Sequence, residues 1–189
     1  MNANDRRAAV EDSGIAVNDR ATAVNDGATA LNDLGTLVSG RRTAAAVSGD
    51  DVEKLRKALA AEHAALFAYG LLGARTSGSL RARMTAAFDA HRARRDQLRG
   101  LITTRGGRPV EPDASYALPF FPANATQAAK LAVHLETGVT AAYLELAAAQ
   151  DVSLRRYAAL AMQEATTRSY SFRPSQPPAF PGMPVQGGD

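Results

Sequence analysis

The sequence predicts an all-α fold, a four-helix bundle with one long crossover. Three observations predict it. Four stretches carry apolar side chains at three-and-four spacing, the period of a helix with one buried face. Two of the links between them are short, whereas the middle one is long and contains four prolines. Finally, each of the four stretches places an ionisable side chain at a similar distance from a turn.

Residues 3–37 repeat every seven as ANDRRAA, VEDSGIA, VNDRATA, VNDGATA and LNDLGTL. Val10, Val17, Val24 and Leu31 fall in register, but the second core position of the heptad is Gly14, Ala21, Ala28 and Gly35. One knob per heptad among Gly, Asn, Asp and Thr makes a poor coiled coil. Residues 1–47 are therefore expected to form a weakly structured, low-complexity arm. Residues 48–173 are the expected bundle. Its first helix covers about 50–74, with Ser48 or Asp50 as N-cap, and its core stripe runs Val52, Leu55, Leu59, Glu62, Leu66, Tyr69.

A second helix covers about 79–105 and stops at Gly106-Gly107. RPVEPDASYALPFFPAN (108–124) then excludes regular helix through its prolines. The third and fourth helices cover about 125–149 and 152–171, divided by QDVS. Residues 174–189 are too rich in Pro and Gly to be regular and form a strap or tail. Short links force each helix pair antiparallel, and the crossover carries the chain back along the bundle.

Glu62 interrupts an apolar stripe, and a buried carboxylate needs a cationic partner. Measured from turns near residues 76 and 151, Glu62, His91, Glu136 and Glu164 lie at nearly equal depth. At 1.5 Å per residue that depth is roughly 20 Å. The halves also echo each other. Tyr69 follows Glu62 as Tyr143 follows Glu136, and Arg95 follows His91 as Arg168 follows Glu164. A pseudo-twofold axis along the bundle would superpose these pairs.

The layer resembles the carboxylate layer of the ferritin-like superfamily. There two helices each give a Glu and the other two each give Glu-x-x-His. More closely, EHAALFAYG, AHRARRDQL, YALPF and the late AFPG resemble the actinobacterial ferritin-like domain family of unassigned function, over about residues 50–183. The resemblance implies a ferritin-like bundle and a ligand set of Glu62, His91, Glu136 and Glu164. Phe88 and Thr167 stand where the remaining ligands would be. A divalent cation would also be repelled by Arg95 and Arg168. Their two guanidiniums and a protonated His91 balance three carboxylates, so a metal-free ionic core is expected, and no cofactor. Iron or manganese, held by carboxylates and an imidazole, is the alternative.

The 189 residues carry a formal charge of +3 and no cysteine, which rules out disulfides and thiol chemistry. No apolar run approaches the roughly 18–20 residues of a spanning helix, so a cytoplasmic protein is expected, with no membrane partner. The arginines of the second helix (81, 83, 92, 94, 95, 99, 105 and 108) are read as a solvated face balanced by Asp89 and Asp96, with a nucleic-acid surface as the lesser reading. Tyr69 and Tyr143 are read as core tyrosines with bonded hydroxyls, not redox centres. No phosphate loop or nucleophile triad is present. The expected function is a non-enzymatic assembly or interaction module. The aromatic residues of the crossover and strap are expected to lie along the bundle or to bury a dimer interface, and a homodimer is the expected partner. The second reading is an iron or manganese carboxylate protein, and the third is DNA binding.

Overall fold

A computed structural model describes residues 26–174 and 180–183, with side chains from residue 49. Four helices follow one another: α1 (Asp26–Arg75), α2 (Gly78–Thr104), α3 (Ala125–Leu146) and α4 (Val152–Phe172). Contacts divide the chain into Met1–Arg42 and Thr43–Asp189. In the second unit the helices bury one apolar core, in which Leu55, Leu59, Leu72, Leu98, Leu131, Leu146 and Leu154 are almost wholly buried. No described helix is long and apolar enough to cross a membrane.

The ends of α2, α3 and α4 follow their local chemistry. Gly106 adopts a left-handed φ of 72°. Its N–H reaches the Thr103 carbonyl and the Gly107 N–H reaches the Ile102 carbonyl, at 3.0 and 2.9 Å. That paired arrangement satisfies the last carbonyls of α2. Gly107 is needed for a second reason, because a Cβ there would lie 2.6 Å from Val52 Cγ1. Asn124 caps α3 by accepting from the Gln127 N–H, and the Gln127 side chain accepts in turn from the Ala123 N–H. Asp151 caps α4 by accepting from the Ser153 N–H at 2.8 Å.

Two expectations change. α1 begins at Asp26, so neither Ser48 nor Asp50 caps a helix start. The alanines and arginines of 41–47 let a helix that is stable from residue 50 propagate backwards at little cost. The heptads of residues 1–25 lie outside the described residues. The second change concerns the internal symmetry. The buried Asp51 carboxylate, near the start of the expected first helix, accepts from the Gln150 and Asp151 N–H groups at 2.8 and 3.0 Å. Arg105, at the end of α2, pairs with Asp151. The α3–α4 turn therefore lies at the opposite end of the bundle from the α1–α2 turn. α1 and α3 run antiparallel, and the pseudo-twofold relating the halves lies across the bundle, not along it.

Asp51 is the tie that fixes this end. Replacing it by Ala leaves two backbone donors without their charged acceptor and should cost about 2–3 kcal/mol in urea unfolding. A change below about 0.5 kcal/mol would show that water takes over both bonds.

Candidate functional site

Side chains on a helix lean towards its N-terminus. Tyr69 and Tyr143, each two turns C-terminal to the glutamate of its own helix, therefore lean back towards the depth of the glutamates. The Tyr69 hydroxyl donates to Glu136 Oε1 at 2.6 Å, and the Tyr143 hydroxyl donates to Glu62 Oε1 at 2.7 Å. Each tyrosine satisfies the carboxylate of the opposite helix. Burial and the neighbouring carboxylates push both phenols well above their usual range, so both remain protonated donors.

His91 of α2 enters between the carboxylates. Its Nδ1 lies 2.7 Å from Glu62 Oε2 and its Nε2 lies 3.1 Å from Glu136 Oε1. Both acceptors are carboxylate oxygens, so both ring nitrogens carry protons. Burial opposes that charge, but the hydrogen bonds to Glu136 and Glu62, helped by their charges, prevail and raise the pKa to about 9. The Tyr69 ring stacks on the imidazolium with centroids 5.2 Å apart. From α4, Arg168 donates through Nε to Glu136 Oε1 at 3.1 Å. Burial pushes the Glu136 carboxyl up, yet bonding to His91 and the charges of His91 and Arg168 leave it below 4.5. Two carboxylates meet one imidazolium and one guanidinium, and the layer is neutral. Glu62, His91 and Glu136 are completely buried.

The layer thus gathers Glu62, His91, Glu136, Tyr69, Tyr143 and Arg168. It does not include Glu164 or Arg95. Half of the Glu164 side chain is exposed, and it pairs with Arg94 across the surface, with Arg94 Nη2 to Oε1 at 2.6 Å and Nε to Oε2 at 3.2 Å. Arg95 turns outward to its neighbour Asp96 at 2.8 Å. The misreading has a specific cause. The core stripe of α4 is Leu154, Ala158, Ala161, Ala165 and Phe172, and alanine marks a buried face weakly in a chain with alanine on every face.

The sequence offset that carries Glu62 to Glu136 also carries Tyr69 to Tyr143, Leu72 to Leu146, Arg94 to Arg168 and His91 to Ala165. That offset was the signal for the correct register of α4. Sequence spacing also missed Arg94, whose guanidinium lies 4.9 Å from the Tyr157 ring centroid, and Asp51.

A metal ion would make its own demands on this donor set. A histidine ligand must offer a lone pair, whereas both nitrogens of His91 are committed as donors. Among the described residues no group of three His, Asp or Glu side chains is arranged to hold a metal ion. Glu136 Oε2 is the one carboxylate oxygen of the layer with no hydrogen-bond partner. A single oxygen beside two cations does not make a cation site, so these residues do not fit a metal.

Residues 54–185 match the family described as a domain of unknown function, DUF4439. The chain belongs to that family. Its structure is similar to the crystal structure of a conserved hypothetical protein, rv2844, from Mycobacterium tuberculosis. The TM-score is 0.63 at 29% identity, covering 66% of this chain and 95% of that one. No curated protein matches the chain. The DUF4439 match spans all six residues of the layer and the later part of α1 that carries Glu62 and Tyr69.

Two predictions follow from the layer's charges. Arg168→Met removes a guanidinium from a buried carboxylate and should destabilise by on the order of 3 kcal/mol. Arg95→Met should change stability by less than about 0.5 kcal/mol, because its ion pair is exposed. Equal losses in denaturant titrations of the two variants would refute the assignment. With pH, the His91 contribution is complete below its unfolded value of 6.5 and is lost as pH rises through about 9. The Glu136 contribution is present above 4.5 and is lost as pH falls through its lower folded value. These two terms are therefore flat from 4.5 to 6.5. Above that window stability should decline by about 3 kcal/mol in the wild type, read from urea midpoints. A flat profile up to pH 9 would mean that His91 is neutral in the fold.

Proposed function

We propose that the chain is a non-catalytic, ferritin-like assembly or interaction module whose core layer is ionic and metal-free. The observation that carries this reading is His91, buried with one ring nitrogen 2.7 Å from Glu62 Oε2 and the other 3.1 Å from Glu136 Oε1. Ferritin-like metal layers take Glu from two helices and Glu-x-x-His from each of the other two. In this chain the equivalents are Phe88-x-x-His91 on α2 and, by the internal offset, Met162-x-x-Ala165 on α4. Only Glu62, Glu136 and His91 remain of the pattern, and Glu164 drops out of it. The imidazolium and Arg168 supply the positive charge that metal ions supply elsewhere.

A closed layer also argues against catalysis, because a substrate needs access and Glu62, His91 and Glu136 have none. An interaction role is supported by large apolar side chains left in solvent, notably Phe121 and Phe180, which are 68% and 71% exposed. A homodimer is the partner we propose. The arginines of α2 give nucleic acid little support: Arg92, Arg94, Arg95, Arg99 and Arg105 pair with Asp89, Glu164, Asp96, Glu111 and Asp151.

Metal analysis of protein expressed without chelator tests the reading. Well under one equivalent of iron or manganese is expected, with little change in Tm when either is added. A ligand at a hundred times its Kd would add about 2.7 kcal/mol, which is readily seen. Stoichiometric metal with a large thermal shift would replace this proposal by the iron or manganese carboxylate reading.

A further inference from the structure

Away from the layer, α1, α2 and the crossover enclose a groove of about 500 Å3. That volume lies within the range of small-molecule sites. Its apolar side is Leu66, Phe67 and Tyr116, the two rings meeting with centroids 5.5 Å apart and planes at 51°. Tyr116 is fixed there because its hydroxyl accepts from the Asp113 N–H at 2.9 Å. His63 lies behind, bonded through Nε2 to the Val110 carbonyl at 3.2 Å. Burial lowers its pKa, so the imidazole is a neutral wall.

The charged side of the groove selects among ligand classes. Arg99 and Glu111 are spoken for, joined by two bonds of 3.1 Å each. Arg95 is different: its partner is the exposed, sequence-adjacent Asp96, a pairing worth at most about 1 kcal/mol. Its guanidinium can turn to a carboxylate in the groove at small cost, which frees Asp96 beside it. Asp113 adds a second carboxylate on the crossover side. A simple anion would bond Arg95 but face Asp96, Glu111 and Asp113. A simple cation would face both arginines. A molecule carrying both charges meets both requirements, and a planar ring occupies the Phe67–Tyr116 side through edge or offset contact.

We infer that this groove is a binding site for a small aromatic zwitterion, a ring bearing a carboxylate and an ammonium group in the manner of an aromatic amino acid. Arg95 takes the carboxylate, Asp96 and Asp113 take the ammonium, and Phe67 with Tyr116 take the ring. The assignment gives Arg95 a role that the buried layer does not.

The test uses the full chain and three probes: L-phenylalanine, hydrocinnamate (no ammonium) and phenethylamine (no carboxylate). Binding is read by NMR shift titration. L-Phenylalanine should saturate the groove, with each half-probe at least about tenfold weaker. Arg95→Met should weaken L-phenylalanine and hydrocinnamate by about tenfold and spare phenethylamine. Tyr116→Ser should weaken all three. Circular dichroism checks that both variants are folded, which the position of Arg95 outside the buried core favours. Absence of saturation with L-phenylalanine up to about 10 mM, a limit weaker than ordinary small-molecule sites, would overturn the inference. Equal affinity for the three probes, or indifference of a folded Arg95→Met protein, would do the same.

Discussion

Electroneutrality in a dry core is the constraint on which the site depends. Glu62 and Glu136 stand on two antiparallel helices with no access to water, and two unpaired carboxylates there would be intolerable. His91 resolves this by presenting a proton to each, and Arg168 brings the second positive charge from the remaining helix. Every helix thus contributes to one charge balance. The helices cannot settle independently, because each position is fixed by a partner on another. Apolar packing makes the bundle stable, whereas the layer decides which depth of each helix meets which depth of the next.

Much of this is legible in the sequence alone. Periodicity and link lengths were enough for four helices, since they are local properties of the chain. Gly106-Gly107 and Asn124 marked boundaries because their chemistry acts within a turn of where they stand. Glu62 and Glu136 were conspicuous as carboxylates inside apolar stripes. α4 was read wrongly for the opposite reason. Its buried face is mostly alanine, so a counting argument from an uncertain turn selected Glu164 over the neighbouring Ala165. A register error of one residue rotates a helix face by about 100°, enough to exchange core for solvent. Arg95 went wrong more subtly. It sits at the edge of the α2 stripe, where a long side chain packs its stem and carries its charge outward.

Belonging to DUF4439 and sharing a fold with a mycobacterial hypothetical protein leaves the chemistry to be argued from the residues themselves. The repeated half gives the argument unusual leverage. Two helical hairpins built on one plan carry the same glutamate and the same tyrosine, but at the position that faces both carboxylates one has histidine and the other alanine. One imidazole therefore serves both carboxylates, and the symmetry of the scaffold is broken where the charge balance is set.

The crossed tyrosines have a mechanical consequence. Tyr69 and Tyr143 reach in opposite senses between α1 and α3, each gripping the other helix. Because α1 and α3 run antiparallel, sliding one along the other stretches both grips in one direction and crowds both in the other. The two tethers are therefore loaded together and share any shear between the helices. Under load along its axis such a pair yields only when both bonds break together, so the bundle should behave as a stiff strut.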